Sequence, residues 1–228
     1  DPVAAWRAHN EGLSRRKRLL NDQRFAALRF EGPGTDLRVG LADDHLWDGG
    51  SSTLPNGVEF VANMPTEEVF TAPHRARVDG TVRATMPLAY NGILIDDFSL
   101  EFKGGEVVEA VAGKGQAALD EILGTDAGAR RLGEVALVPT SSPIAKTGVL
   151  FLETLFDENA ACHIALGRGY TNCVSGAQEM TDAEKLEHGL NDSLTHVDFM
   201  IGSPEVDVTG ELAGGGLVPL LRKGEWVD

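Results

Sequence analysis

The 228-residue sequence predicts an α+β fold with a predominantly antiparallel β-sheet and a few helices. Two observations carry this expectation. β-prone runs separated by turn dipeptides fill much of the chain, and stretches with helical spacing are few. With 42% hydrophobic residues the chain can bury a sizeable core, and no internal repeat, low-complexity tract or linker divides it, so residues 1–228 read as one domain.

Taken in order, Pro2 stands near a helix start, and Val3, Trp6, Leu13, Leu19 and Leu20 among basic residues predict an amphipathic helix to about residue 24. Between Phe25 and Val61, the runs ALRF, LRVGL, HLWDG and VEFVA alternate with turn signals such as Gly32-Pro33-Gly34, Gly49-Gly50 and Asn56-Gly57. Three further β signals, 78–87, 93–102 and 106–112, are broken by Asn91-Gly92 and Gly104-Gly105 and predict a meander. Residues 116–132 have helical spacing, 134–138 and 194–201 read as strands, and Thr181 with Glu184 forms a capping box for a helix to about His188. The end, 206–227, reads as strands.

The run DENAACHIALGRGY, 157–170, is expected to be a helix from Glu158 to Gly167, with Asp157 as N-cap and alanines favouring the helix. That would set His163 and Tyr170, seven apart, on one helical face. His196 and Asp198, two apart on a strand, share a face as well. Imidazoles, carboxylates and a phenol are ligands that zinc, cobalt or manganese accept. No HExxH, GxSxG or GxxxxGK[ST] pattern is present, which disfavours a single-zinc protease of that type, a serine elbow and a phosphate loop.

The formal charge of -15, from 35 acids against 20 Lys and Arg, argues against nucleic-acid and anionic-membrane partners. No apolar run approaches the ~20 residues of a membrane span, and no signal pattern opens the chain. Cys162 and Cys173 lack CxxC spacing and read as reduced thiols, which suits a cytoplasmic location. Position 1 is Asp, so the chain is expected to come from something longer.

Four separated motifs carry a resemblance: PTEEVFTAPHR at 65–75, GEVALVP at 133–139, LFDENAACHIALGRGY at 155–170 and HVDFMIGSPEVDVTG at 196–210. In this order they resemble the thermophilic-metalloprotease family of leucyl-type aminopeptidases, of the aminopeptidase T and aminopeptidase S group. The resemblance runs from about Ala27 onward and implies the C-terminal catalytic half of an enzyme whose N-terminal domain is absent here. It implies six ligands, Glu68, Glu134, His163, Tyr170, His196 and Asp198, around two divalent ions of zinc, cobalt, manganese or magnesium. Glu68 and Glu134 come from the resemblance alone. On the residues alone, Glu67 and Glu68 could equally be a solvated pair, Glu134 an edge charge and Tyr170 a core aromatic.

The implied activity is hydrolysis of N-terminal residues from peptides with a free N-terminus, through a two-metal-activated water. Glu67 is the candidate general base and Glu68 its runner-up, while Tyr170 would ligate or donate to the oxyanion. The family also implies a homodimer. The alternatives are a non-catalytic metal-binding or dimerisation module and a two-metal amidohydrolase acting on another amide. His74 is either a hydrogen-bond partner behind the ligands or a loop residue, and His45 and His188 are expected at the surface.

Overall fold

Asp1 starts the first helix, α1 (Pro2–Gln23): its carboxylate accepts from the N–H groups of Val3 and Ala4 at 3.0 and 3.4 Å. Pro2 fits the first turn, where no intrahelical N–H bond is required. Leu13 and Leu20, seven apart, form the buried stripe. The computed structural model describes residues 1–54 and 56–227.

A hairpin follows, β1 (Phe25–Gly32) and β2 (Thr35–Leu41), and then a small one, β3 (Ser51–Thr53) and β4 (Glu59–Val61). The residues HLWDG between them make only isolated bridges, from His45 to Val174 and from Asp48 to Phe70. β5 (Val69–Thr71) precedes the expected meander of β6 (Pro73–Arg83), β7 (Leu88–Tyr90), β8 (Ile93–Lys103) and β9 (Glu106–Lys114). Helix α2 (Gln116–Leu123) packs Ala118, Leu119, Ile122 and Leu123 inward and stops at Gly124, earlier than the spacing predicts. Next come β10 (Leu132–Leu137) and the short helices α3 (Pro143–Thr147) and α4 (Thr154–Asp157). The remainder is β11 (His163–Gly167), the capping-box helix α5 (Asp182–Glu187), β12 (His196–Met200), β13 (Asp207–Leu212), β14 (Leu217–Arg222) and β15 (Glu225–Trp226).

Every pairing of these strands is antiparallel. A nine-stranded sheet runs β15-β14-β13-β1-β2-β6-β8-β7, with β9 also on β8, and a four-stranded sheet runs β12-β11-β10-β5. The mixed α+β class expected from the turn-separated runs is the fold observed. The buried apolar faces of both sheets belong to one core. Phe98 of β8 and Phe199 of β12 meet there at 5.2 Å between ring centroids, joining the two sheets. Phe199→Ala is expected to cost about 3–5 kcal/mol of stability, measured by denaturant unfolding, since Phe199 is 1% exposed and its loss opens a cavity between the sheets.

The segment 157–167 departs from expectation. A 3₁₀ turn (Glu158–Ala160) replaces the helix, and His163–Gly167 is the strand β11 between β10 and β12. Alanine's helix preference, a few tenths of a kcal/mol per residue over its neighbours, loses to burial of the whole strand between two partners. Asp157 does not cap a helix either; its carboxylate accepts from the N–H of Phe151 at 2.8 Å and of Glu153 at 3.3 Å. Gly167, at φ 106°, closes the strand where a Cβ would lie 2.1 Å from the carbonyl of Thr195.

Candidate metal centre

The registers of the four-stranded sheet bring the candidate residues together. Glu134 of β10 lies opposite Ala165 of β11, which lies opposite Asp198 of β12. His163 and His196 sit two residues from Ala165 and Asp198, so the period-two alternation turns both imidazoles to the same face. The other face carries Val135, Ile164, Leu166, Val197 and Phe199 into the core. Ala165 leaves room between the two carboxylates. Glu68 approaches from just before β5, and Glu158 from the 3₁₀ turn. Asn159 ties those two segments: its Oδ1 accepts from the N–H of Glu67 at 2.7 Å, and its backbone carbonyl accepts from Ser142 Oγ at 2.8 Å.

His163 Nε2 is 3.0 Å from Glu68 Oε2 and 3.8 Å from Glu134 Oε1. His196 Nε2 is 3.3 Å from Glu134 Oε2 and 3.5 Å from Asp198 Oδ2. Glu134 therefore turns one oxygen towards each imidazole. Both rings are fixed from behind: Nδ1 of His163 lies 3.1 Å from the carbonyl of Ala161, and Nδ1 of His196 lies 2.7 Å from the carbonyl of Arg168. A carbonyl only accepts, so Nδ1 carries the proton in each neutral ring and Nε2 holds the lone pair.

A divalent cation fits this set. Glu68, Glu134, Glu158 and Asp198 are all buried, and among the described residues no Lys or Arg pairs with any of them. Four buried carboxylates without a fixed cation are costly. Glu68 Oε2, His163 Nε2 and Asp198 Oδ1 have no hydrogen-bond partner, although the first two are 3.0 Å apart. Buried ligand atoms left unpartnered are free to bind a cation. Three groups could each hold an ion: Glu68 with Glu134 and His163, Glu134 with His196 and Asp198, and Glu158 with His163 and Asp198.

The ionisation of the cluster shows the same strain. Burial pushes Glu158 up to about 8 and Glu134 up to about 7. Burial opposes charge on the histidines too, but the surrounding carboxylates outweigh it and push His163 up to about 10 and His196 up to about 11. Protons must leave these groups before a cation can enter. Affinity for a divalent ion is therefore expected to rise as pH increases from ~7 to ~11, the range over which these groups lose their protons, with proton release detectable by calorimetry in buffers of different ionisation enthalpy.

Glu68, Glu134, Glu158, His196 and Asp198 line a cavity of about 530 Å³, together with Asp48, Phe70, Tyr90, Leu155 and Asn172, while His163 lies buried behind them. Tyr170 is not on a helix with His163; it follows β11 and lays its ring 4.7 Å from that of His196 and 6.0 Å from Phe70. Burial and the four acids raise its hydroxyl pKa, so it stays a donor. Glu67 does not line this cavity. Its carboxylate turns to His9, 3.7 Å away, on a groove beside α1, because successive residues of an extended segment face opposite sides. Glu158, read from the sequence only as a helix-start acid, is the cavity residue that the helical expectation concealed. His74 is also outside the cavity; it lies on β6 against Gly189. His45 is buried rather than at the surface, its Nδ1 3.1 Å from the carbonyl of Ala42.

Buried carboxylates and imidazoles around an open cavity are a donor set suited to divalent metal ions. The chain belongs to the Thermophilic metalloprotease (M29) family, which matches residues 1–226. It is 56% identical over 227 residues to Aminopeptidase T of Thermus aquaticus, a match covering 100% of this chain and 55% of that protein. Aminopeptidase AmpS of Bacillus subtilis is 46% identical over 226 residues, covering 99% and 55%. The structure superposes on wild-type AmpT from Thermus thermophilus with a TM-score of 0.95 at 53% identity, covering 100% of this chain and 56% of that one. A dioxygenase of Pseudomonas putida shares the fold, with a TM-score of 0.61 at 13% identity over 92% of this chain and 57% of that one. The chain spans about half the length of the curated relatives it matches.

Proposed function

We propose that residues 1–228 form the catalytic domain of a metal-dependent aminopeptidase that releases N-terminal residues from peptides. The observation that carries this reading is the convergence of four buried carboxylates and His196 on a cavity large enough for a peptide end, with the Nε2 of buried His163 against Glu68 and Glu134 and no Lys or Arg partner among the described residues. The relatives named aminopeptidases support the choice of bond. Two ions are favoured over one because Glu134 offers an oxygen to each imidazole and so belongs to two of the three ligand groups.

Glu68, Glu134 and His163 would hold one ion and Glu134, His196 and Asp198 the other, with Glu158 beside His163 and Asp198. Divalent ions of the zinc, cobalt, manganese or magnesium class supply Lewis acidity, polarising a carbonyl and lowering the pKa of water. Glu158, with its raised pKa and its place on the cavity wall, accepts the proton of the attacking water and delivers it to the leaving amine. Glu68, the other acid considered for this role, is assigned to the ligand set. Tyr170 keeps its proton and donates to the oxyanion as the carbonyl becomes tetrahedral. The two backbone carbonyls behind His163 and His196 keep the rings from rotating during the reaction.

The test is turnover of L-leucinamide against its N-acetyl derivative after loading with cobalt. Hydrolysis of the free-amine substrate alone supports an aminopeptidase. Hydrolysis of neither, or of both equally, overturns it in favour of a non-catalytic module or another amidohydrolase. A homodimer and a cytoplasmic location complete the proposal. Among the described residues no helix is long and apolar enough to cross a membrane. Light scattering that gives a 24.3 kDa species at micromolar concentration would rule out the dimer.

A further inference from the structure

Asp48 and Asn172, which also line the cavity, belong to a hydrogen-bonded chain with Lys17 that the proposed reaction leaves unused. Asp48 Oδ1 accepts from Lys17 Nζ of α1 at 3.1 Å and from the N–H of Gly49 at 2.8 Å. Its Oδ2 accepts from Asn172 Nδ2 at 2.8 Å. Both oxygens of Asp48 are therefore engaged, and Lys17 balances its charge.

The orientation of Asn172 follows from chemistry. An amide oxygen facing a carboxylate would be repelled, so Nδ2 must face Asp48 and Oδ1 must point the other way. No donor among the described residues reaches that Oδ1. Asn172 lies two residues beyond Tyr170 and lines the same cavity. The buried carboxylates of that cavity are taken up by the ions or, for Glu158, by proton transfer, and Asp48 is neutralised. The fixed acceptor left for a substrate N–H is the amide oxygen of Asn172.

We propose that Asn172 accepts a hydrogen bond from the α-ammonium of the substrate, with Asp48 as the residue that positions it. This rests on the aminopeptidase reading for the identity of the ligand. Asn172 would then be a specificity residue, favouring chains with a free amine over those without one. Lys17 extends the arrangement to α1, so the first helix takes part in holding the substrate end of the site.

The experiment compares binding of L-leucinamide and its des-amino analogue 4-methylpentanamide by calorimetry, with metal content measured for every variant. Wild type should prefer the amine. Asn172→Ala should reduce that preference about tenfold or more while leaving the affinity for the analogue and the metal content unchanged, because a hydrogen bond to a charged group is worth about that much. Asp48→Ala should act in the same direction. Asp48→Asn, whose amide oxygen can still accept from Asn172, should retain most of the preference, a rescue that general loosening of the loop would not give. An unchanged preference in Asn172→Ala, or none in wild type, overturns the proposal. Turnover is scored separately. Hydrolysis with the preference unmoved by Asn172→Ala removes the role of Asn172 and leaves the aminopeptidase reading standing; loss of the preference without hydrolysis in wild type does the reverse.

Discussion

Replacing His163 with alanine is expected to lower affinity for a divalent cation at least ~100-fold and to abolish turnover, while the folded structure survives. The ring is 1% exposed and sits on β11, an inner strand of the four-stranded sheet, where its Nε2 faces Glu68 and Glu134. Removing it deletes a ligand from two of the three groups that could hold an ion. The fold should tolerate the change, because the opposite face of β11, Ile164 and Leu166, keeps its core contacts. Glu134 and Glu158, both already shifted upwards by burial, can take up protons in place of the lost positive partner. Calorimetric titration beside circular dichroism measures both halves of the expectation. A folded variant with wild-type affinity would remove His163 from the centre.

Glu158→Gln is expected to lower kcat by about 10²–10⁴-fold with much smaller effects on KM, the contribution typical of a positioned proton acceptor. Burial pushes Glu158 up to about 8, close to the pH at which such an acceptor is most effective, and it lines the cavity within ligand reach of His163 and Asp198. Glutamine keeps the size and loses the basicity. Glu67→Gln, by contrast, should leave kcat within a few-fold of wild type, because that carboxylate faces His9. If Glu67→Gln carries the large loss and Glu158→Gln does not, the roles are reversed. Steady-state kinetics on the two variants, with metal content matched, decides between them.

The contrast between these two glutamates shows what the sequence reveals about the site. Strand-face pairing of His196 with Asp198 was legible because period two needs no tertiary information. Glu134 was not, since a single acid in an apolar run carries no periodic signal and becomes a site residue only through its register with Ala165. The segment around His163 has two patterns at once: alanines that favour a helix, and an alternation of Ile164 and Leu166 with His163 and Ala165 that fits a strand. Propensity favoured the helix, and burial between β10 and β12 decided for the strand. The strand leaves Glu158 on a 3₁₀ turn, where it lines the cavity, and not at a helix start where it would only face the dipole. The sheet architecture was more visible, because paired turn signals mark antiparallel connections locally. Which strands form the small four-stranded sheet depended on long-range pairing that no local pattern encodes.

In the proposed centre Glu134 joins two cation sites by turning one carboxylate oxygen to each histidine. The most direct measurement is the number of cobalt equivalents bound by demetallated protein, counted by titration of the visible absorption of the bound ion. Two equivalents per chain are predicted, falling to one or none in Glu134→Ala. A single equivalent in the wild-type chain, or two that persist in Glu134→Ala, would show that Glu134 does not bridge two sites.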